Sequence, residues 1–274
     1  MFGLGSYFKS LCYDTVSGLP FLGYRSIRPY AADYFEYRRI REMAIISLEK
    51  RYVYVINPKV ASTSIRNRLR ELNGYPELEN PRDIRDYERS GFLLPRHLSN
   101  RKLVDIFENP EFFHFCFVRN PFDRLVSGYK FFRDTMADHY GKRRHQRVLQ
   151  RRCDPRRDIA RKRQLSFPEF VEDICLNDQH VIDQHWRPQT SVLKTHLIDY
   201  DFIGRIESFA EDLTQVLKRL GADEELLKKT GNVTNASGRK TDLGEWYDEH
   251  LADLVRRKYA ADFEEFGYPR ELPG

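Results

Sequence analysis

The stretch "YVYVINPKVASTSIRNRL", residues 52–69, decides how this chain is read. It opens on alternating aromatic and aliphatic residues, a strand pattern, which breaks at Asn57-Pro58. A helix pattern follows: from Ser64 to Asn73 the residues Ile65, Leu69 and Leu72 form one stripe, and Gly74 suits the stop. At the junction stand Lys59 and the consecutive hydroxyls of Ser62, Thr63 and Ser64. Free amides at a helix start, with the positive end of the helix dipole, favour an anion. Lys59 adds a point charge and the hydroxyls add donors. An ordinary Ser/Thr cap would account for one hydroxyl, but not for a run of them behind a lysine. A G-x-x-x-x-G-K-[ST] loop is absent, since no glycine occurs from 52 to 73.

A second strand run, "FHFCFV" (113–118), leads straight into "RNPFDRLVSGY" (119–129). Pro121 fits a first helical position, and Phe122, Leu125, Tyr129 and Phe132 then share one face. Arg119 stands at the strand end, where its fork could grip a phosphate, and Ser127 lies off the apolar stripe. Taken alone, an Arg119–Asp123 pair with Ser127 as an incidental small residue explains this stretch. A third run, "DFIGRI" (201–206), precedes another helix pattern. Ser166/Glu169 and Ser208/Glu211 have capping-box spacing, and a last helix is predicted from about Glu245 to Glu265. Strands separated by helices predict an α/β three-layer sandwich with a central parallel sheet, whose ligands lie beyond the carboxyl ends of the strands. Residues 1–48, aromatic-rich and without a clean period, read as an N-terminal extension packed on the core. Residues 49–274 read as one domain.

Length and composition agree: 274 residues at 41% apolar can bury one substantial core. The formal charge of +5 is unevenly spread, because residues 142–163 hold eleven Lys/Arg against Asp154 and Asp158, a local +9. Such a patch suggests a polyanionic partner or, equally, a solvated basic segment. Cys12, Cys116, Cys153 and Cys175 form no C-x-x-C pair, and Cys116 inside its apolar run reads as a buried free thiol in a reducing compartment. No apolar stretch approaches the roughly 20 residues of a membrane helix, and the opening residues are too broken by Gly, Ser and charge for a signal peptide. A soluble cytoplasmic protein is expected. No spacing suggests a metal site. A P-loop kinase lacks its glycines here, and a nucleic-acid-binding module, the non-enzymatic alternative, lacks any zinc-finger, RRM or basic-zipper pattern.

Together the two strand–loop–helix sites resemble those of sulfotransferases. "PKVASTS" (58–64) is similar to the 5′-phosphosulfate loop, and "FVRNPFDRLVSGY" (117–129) to the 3′-phosphate motif "FVRxPFxRLVSAY" of carbohydrate sulfotransferases. "DQHWRPQ" (183–189) and "IDYDFIGRIESFAEDL" (198–213) are similar to the "HWxP" and "YDFIGxxE" stretches of the HNK-1 and chondroitin type, sulfotransferase family 2. The likeness runs over residues 52–268. It implies a P-loop-like sulfotransferase fold and metal-independent, in-line sulfuryl transfer from 3′-phosphoadenosine 5′-phosphosulfate (PAPS) to a carbohydrate hydroxyl. By that resemblance Lys59, Val60, Ala61, Ser62, Thr63 and Ser64 hold the phosphosulfate end, with Lys59 also stabilising the departing charge. Arg119 and Ser127 hold the 3′-phosphate, while Arg239 and Lys240, in "ASGRKTD", fall where relatives close a loop over the nucleotide. His97, in "LLPRHLSNRKL", is the expected general base and His185 the second choice. His185 and Arg187, with Arg143 and Arg144 of the basic segment, are the expected acceptor contacts; His114, in a strand, is expected to be structural. The acceptor would be a glycan, and an acidic polysaccharide if the basic segment serves it. Two departures, the missing membrane anchor and the cysteine-free "TSVLKTHLIDYD" (190–201), agree with a cytoplasmic, bacterial member. Sequons at Asn232 and Asn235 mean little without a secretory signal.

Overall fold

The structure, a computed structural model, describes residues 43–75, 91–98, 100–137, 166–176, 184–231 and 242–272. The strands are β1 (Ala44–Ser47), β2 (Tyr52–Val55), β3 (Phe113–Val118) and β4 (Phe202–Arg205). The first helices are α1 (Ser62–Leu72), α2 (Asn100–Glu108), α3 (Pro121–Ala137) and α4 (Phe167–Leu176). After these come α5 (Gln189–Leu193), α6 (Phe209–Arg219), α7 (Glu224–Gly231), α8 (Glu249–Lys258) and α9 (Ala260–Glu265). The described residues fall into two compact units, one drawn from 1–118 and 189–238, the other from 119–188 and 239–274.

The first unit carries the sheet, in the order β1-β2-β3-β4. β2 pairs parallel with β3, Tyr54 opposite Phe115, and β3 parallel with β4, Phe115 opposite Phe202. The expected all-parallel sheet is corrected at its edge, because β1 pairs antiparallel with β2, Ala44 opposite Val55. The physical reason is the link: residues 48–51 are a tight turn with Arg51 at φ 50°, and so short a connection joins only antiparallel strands. β1 is a four-residue segment within the stretch read as an N-terminal extension, too short to show a period.

Tyr52, Tyr54, Phe115 and Phe117 face one side of this sheet and bury against Ile65 and Leu69 of α1 and Leu213, Val216 and Leu217 of α6. On the other face the Phe107 ring of α2 lies 5.2 Å from that of His114, beside the buried Cys116. Helices thus flank both faces. α1 stops where the sequence says: Asn73 is its C-cap and Gly74 follows at φ 76°, a conformation glycine takes without steric cost. The Asn73 amide also donates to the Tyr52 hydroxyl at 3.0 Å, pinning the helix end to β2.

The second unit is built on aromatic packing. Tyr129 and Phe132 of α3 meet Phe167 and Phe170 of α4, and Trp186 and Trp246 close the cluster with ring centroids 5.0–6.0 Å apart. The Ser166/Glu169 box forms on one side, the Ser166 amide and hydroxyl both donating to Glu169 at 2.8 and 2.7 Å. In the first unit the Ser208 pair shifts by one: its hydroxyl donates to Asp212, not Glu211, because a 3₁₀ turn over Ile206–Ser208 precedes α6 and rotates the helix start. The single last helix of the sequence reading is two, divided at Tyr259, whose hydroxyl donates to the Trp186 carbonyl. Among the described residues, no helix is long and apolar enough to cross a membrane.

Candidate functional site

The first strand-end site lies in the first unit, after β2. Without glycines, the loop turns through two L-residues in the left-handed region, Lys59 at φ 70° and Ala61 at φ 52°. Ala61 is the N-cap of α1 and has no side chain with which to cap. Ser62, Thr63 and Ser64 therefore occupy the first turn itself, and the first intrahelical bond is Ile65 N–H to the Ala61 carbonyl at 3.1 Å. Among the described residues the amides of Ser62, Thr63 and Ser64 find no acceptor, which is the state that an anion at a helix start satisfies. An ordinary hydroxyl cap is excluded by this geometry.

Two buried side chains contact the loop. Asn57 donates through Nδ2 to the Phe117 carbonyl at 2.9 Å and to Gln189 Oε1 at 3.0 Å, tying the loop to the end of β3 and the start of α5. Arg66, one turn into α1, donates to the Ser62 carbonyl at 3.0 Å and to its hydroxyl oxygen at 3.3 Å. Neither Gln189 nor Arg66 stands out in the sequence, where one is a residue after "HWRP" and the other a basic residue on a helix.

The second strand-end site lies in the second unit. Asn120 caps α3, its side-chain oxygen accepting from the Phe122 amide at 2.9 Å, and Pro121 takes the first helical position. Arg119 pairs with Asp123, Nε to Oδ2 at 2.7 Å. It is no surface pair, since Arg119 is buried and, among the described residues, the other Asp123 oxygen is buried without a hydrogen bond. Asp123 and Ser127, four residues apart, share one face of α3, so Asp123 sets the plane of the guanidinium on the face that carries Ser127. Arg124, wholly buried, was not singled out in the sequence. It donates to the carbonyls of Arg187 at 2.7 Å and Gln184 at 3.0 Å, locking the "HWRP" segment to α3. Burial pulls its guanidinium down from the ordinary value, opposed by the charge of Asp262. Arg187 is buried, and the His185 ring stacks on Phe131 at 4.6 Å.

His97 ends a 3₁₀ turn, Pro95–His97, in the first unit. Its Nδ1 lies 3.2 Å from the Leu94 amide and its Nε2 3.2 Å from Arg96 Nε. A neutral imidazole has one lone pair, so one of these contacts holds at a time. His114 is buried in β3 as a structural residue: burial holds its imidazole below the ordinary value, with Asp201 acting the other way. Arg143, Arg144, Arg239 and Lys240 lie outside the described residues, as does the basic segment. Among the described residues no group of three His, Cys, Asp or Glu gathers as a metal site.

The chain is 27% identical over 238 residues to zebrafish carbohydrate sulfotransferase 14, covering 82% of this chain and 62% of the relative. It is 29% identical over 196 residues to rat carbohydrate sulfotransferase 11, covering 65% and 52%. With Xenopus laevis carbohydrate sulfotransferase 10 the figures are 27% over 249 residues, 84% and 68%. The chain thus spans between half and two thirds of the length of the first two. No solved structure matches it. The profile of the sulfotransferase family matches residues 43–269, through both units and both strand-end sites, and the chain belongs to that family.

Proposed function

We propose that the chain transfers a sulfuryl group from PAPS to a hydroxyl of a carbohydrate acceptor. The observation that carries this reading is the start of α1, where three consecutive amides lack acceptors among the described residues and a lysine precedes them, in a chain of the sulfotransferase family. When bound, PAPS supplies the sulfuryl group. The amides and hydroxyls of Ser62 to Ser64 hold its 5′ end, and Lys59 neutralises the negative charge that grows there. Arg119, oriented by Asp123, and Ser127 hold the 3′-phosphate. Arg239 and Lys240 cover the nucleotide. His97 takes the acceptor proton at Nε2, which requires the ring's own proton on Nδ1 and requires Arg96 to give way to the acceptor hydroxyl. His185 and Arg187 orient the acceptor. The segment 142–163, with Arg143 and Arg144, draws in an acidic polysaccharide, so acceptor KM rises with salt. The free Cys116 and Cys175 suit a reducing, cytoplasmic setting.

Calorimetry with adenosine 3′,5′-bisphosphate, set against ATP with magnesium, tests the donor. The bisphosphate should bind and ATP–magnesium bind far more weakly. Arg119→Ala should weaken the bisphosphate by roughly ten- to a hundredfold, the scale of about 1.5–3 kcal/mol for a hydrogen bond to a charged group. Equal binding of both ligands, or an Arg119→Ala variant that binds like wild type, would refute the reading. For the base, His97→Ala should lower kcat about 10²- to 10⁴-fold with the donor affinity unchanged.

A further inference from the structure

Among the described residues, Arg66 is a charge without a counter-charge. The residue is 8% exposed, yet among the described residues no carboxylate pairs with it, and its contacts are to the neutral oxygens of Ser62. Buried guanidinium groups are ordinarily paired, because removing the charge from water is costly. Three other buried arginines differ: Arg119 has Asp123, Arg124 feels Asp262, and Arg70 lies over the Tyr75 ring at 5.1 Å. Beside Arg66 the Tyr54 hydroxyl is buried with no hydrogen bond among the described residues, and the Arg66 charge partly offsets the upward push of burial on that phenol. Arg66 sits one turn behind the unanswered amides of α1, on the face of Ser62. By donating to the Ser62 oxygen it occupies a lone pair and leaves the hydroxyl proton to be donated outward.

We propose that Arg66 is a positioning residue for the 5′-phosphosulfate end of the donor: it orients the Ser62 hydroxyl as a donor, and the bound anion is its missing counter-charge. The inference rests on the donor reading above. It makes a demand that a structural arginine does not meet. Deleting the charge should weaken only ligands that carry a 5′ anion, and should not harm the unliganded protein.

The test titrates wild type, Arg66→Met and Arg66→Lys with adenosine 3′,5′-bisphosphate and with adenosine 3′-monophosphate, and records the unliganded thermal midpoint of each. Arg66→Met should bind the bisphosphate at least tenfold more weakly, bind the 3′-monophosphate as wild type does, and melt no lower than wild type without ligand. Arg66→Lys should restore most of the bisphosphate affinity. Arg66→Gln carries the same expectation as Arg66→Met should the latter not fold. Unchanged bisphosphate affinity in the charge-deleted variant would overturn the proposal, as would an equal loss for both nucleotides with a lowered midpoint. If wild type binds neither nucleotide, the donor reading itself falls and takes the inference with it.

Discussion

Lys59 and Ala61 are held at φ 70° and 52°, where an L side chain crowds its own backbone at about 1–2 kcal/mol per residue. The turn that phosphate loops make with glycine is made here by strained L-residues, held in place by Asn57. Ala61 is the simpler test, since its methyl caps nothing. Ala61→Gly should relieve the local strain while giving back part of the gain through a freer unfolded chain. The expected outcome is a stability increase of up to about 1 kcal/mol in urea unfolding, with the slope unchanged. A clear loss of stability would mean that the Ala61 methyl is needed for packing.

Each site depends on strands and helices meeting at close range. β4 lies beside β3 so tightly that a Cβ on Gly204 would stand 2.5 Å from the Phe117 ring. Phe117 is wholly buried and its carbonyl accepts from Asn57, so its displacement would disturb both the core and the anchor of the loop. Gly204→Ala should therefore cost about 1–3 kcal/mol, the ordinary range for overpacking. It should also weaken adenosine 3′,5′-bisphosphate binding, because the loop loses its fixed support. Chemical denaturation and calorimetry on the one variant read the two effects separately. The glycine is visible in "YDFIGR", but its necessity comes from a ring 87 residues earlier in the chain.

Across the whole molecule, stability should depend on pH through His114. Its folded-state value lies below the ordinary one of about 6.5, so below that pH the unfolded chain binds more protons than the folded one. The stabilisation is present above pH 6.5 and is lost as pH falls through the folded value. Thermal midpoints from pH 8 to 5 should fall for wild type and fall less steeply for His114→Met. Parallel slopes would show that carboxylate protonation elsewhere governs the acid limb. The measurement must use the full chain, since both compact units are discontinuous: the chain enters the second at Arg119, returns to the first at Gln189 and leaves it again.

Local chemistry determined a good deal by itself. The strands at 52–55 and 113–118, the helix from Pro121, the stop at Gly74 and the burial of Cys116 and His114 all follow from short-range pattern and sterics. The proposal that Lys59 and the three hydroxyls receive an anion also rests on short-range features, because charge, helix dipole and free amides are neighbours in the chain. Tertiary structure decided what depends on partners far away in sequence. The edge strand β1 exists through pairing with β2, Asn57 becomes an anchor through Phe117 and Gln189, and the carboxylate partner of Ser208 is Asp212 in place of Glu211. Arg66 shows the difference most plainly. Its reach to Ser62 is a helical i, i+4 spacing that any sequence reading allows, but its burial without a counter-charge among the described residues is set by the fold around it. Periodicity reports which face of an element is apolar; it cannot report which charge that packing leaves without a partner.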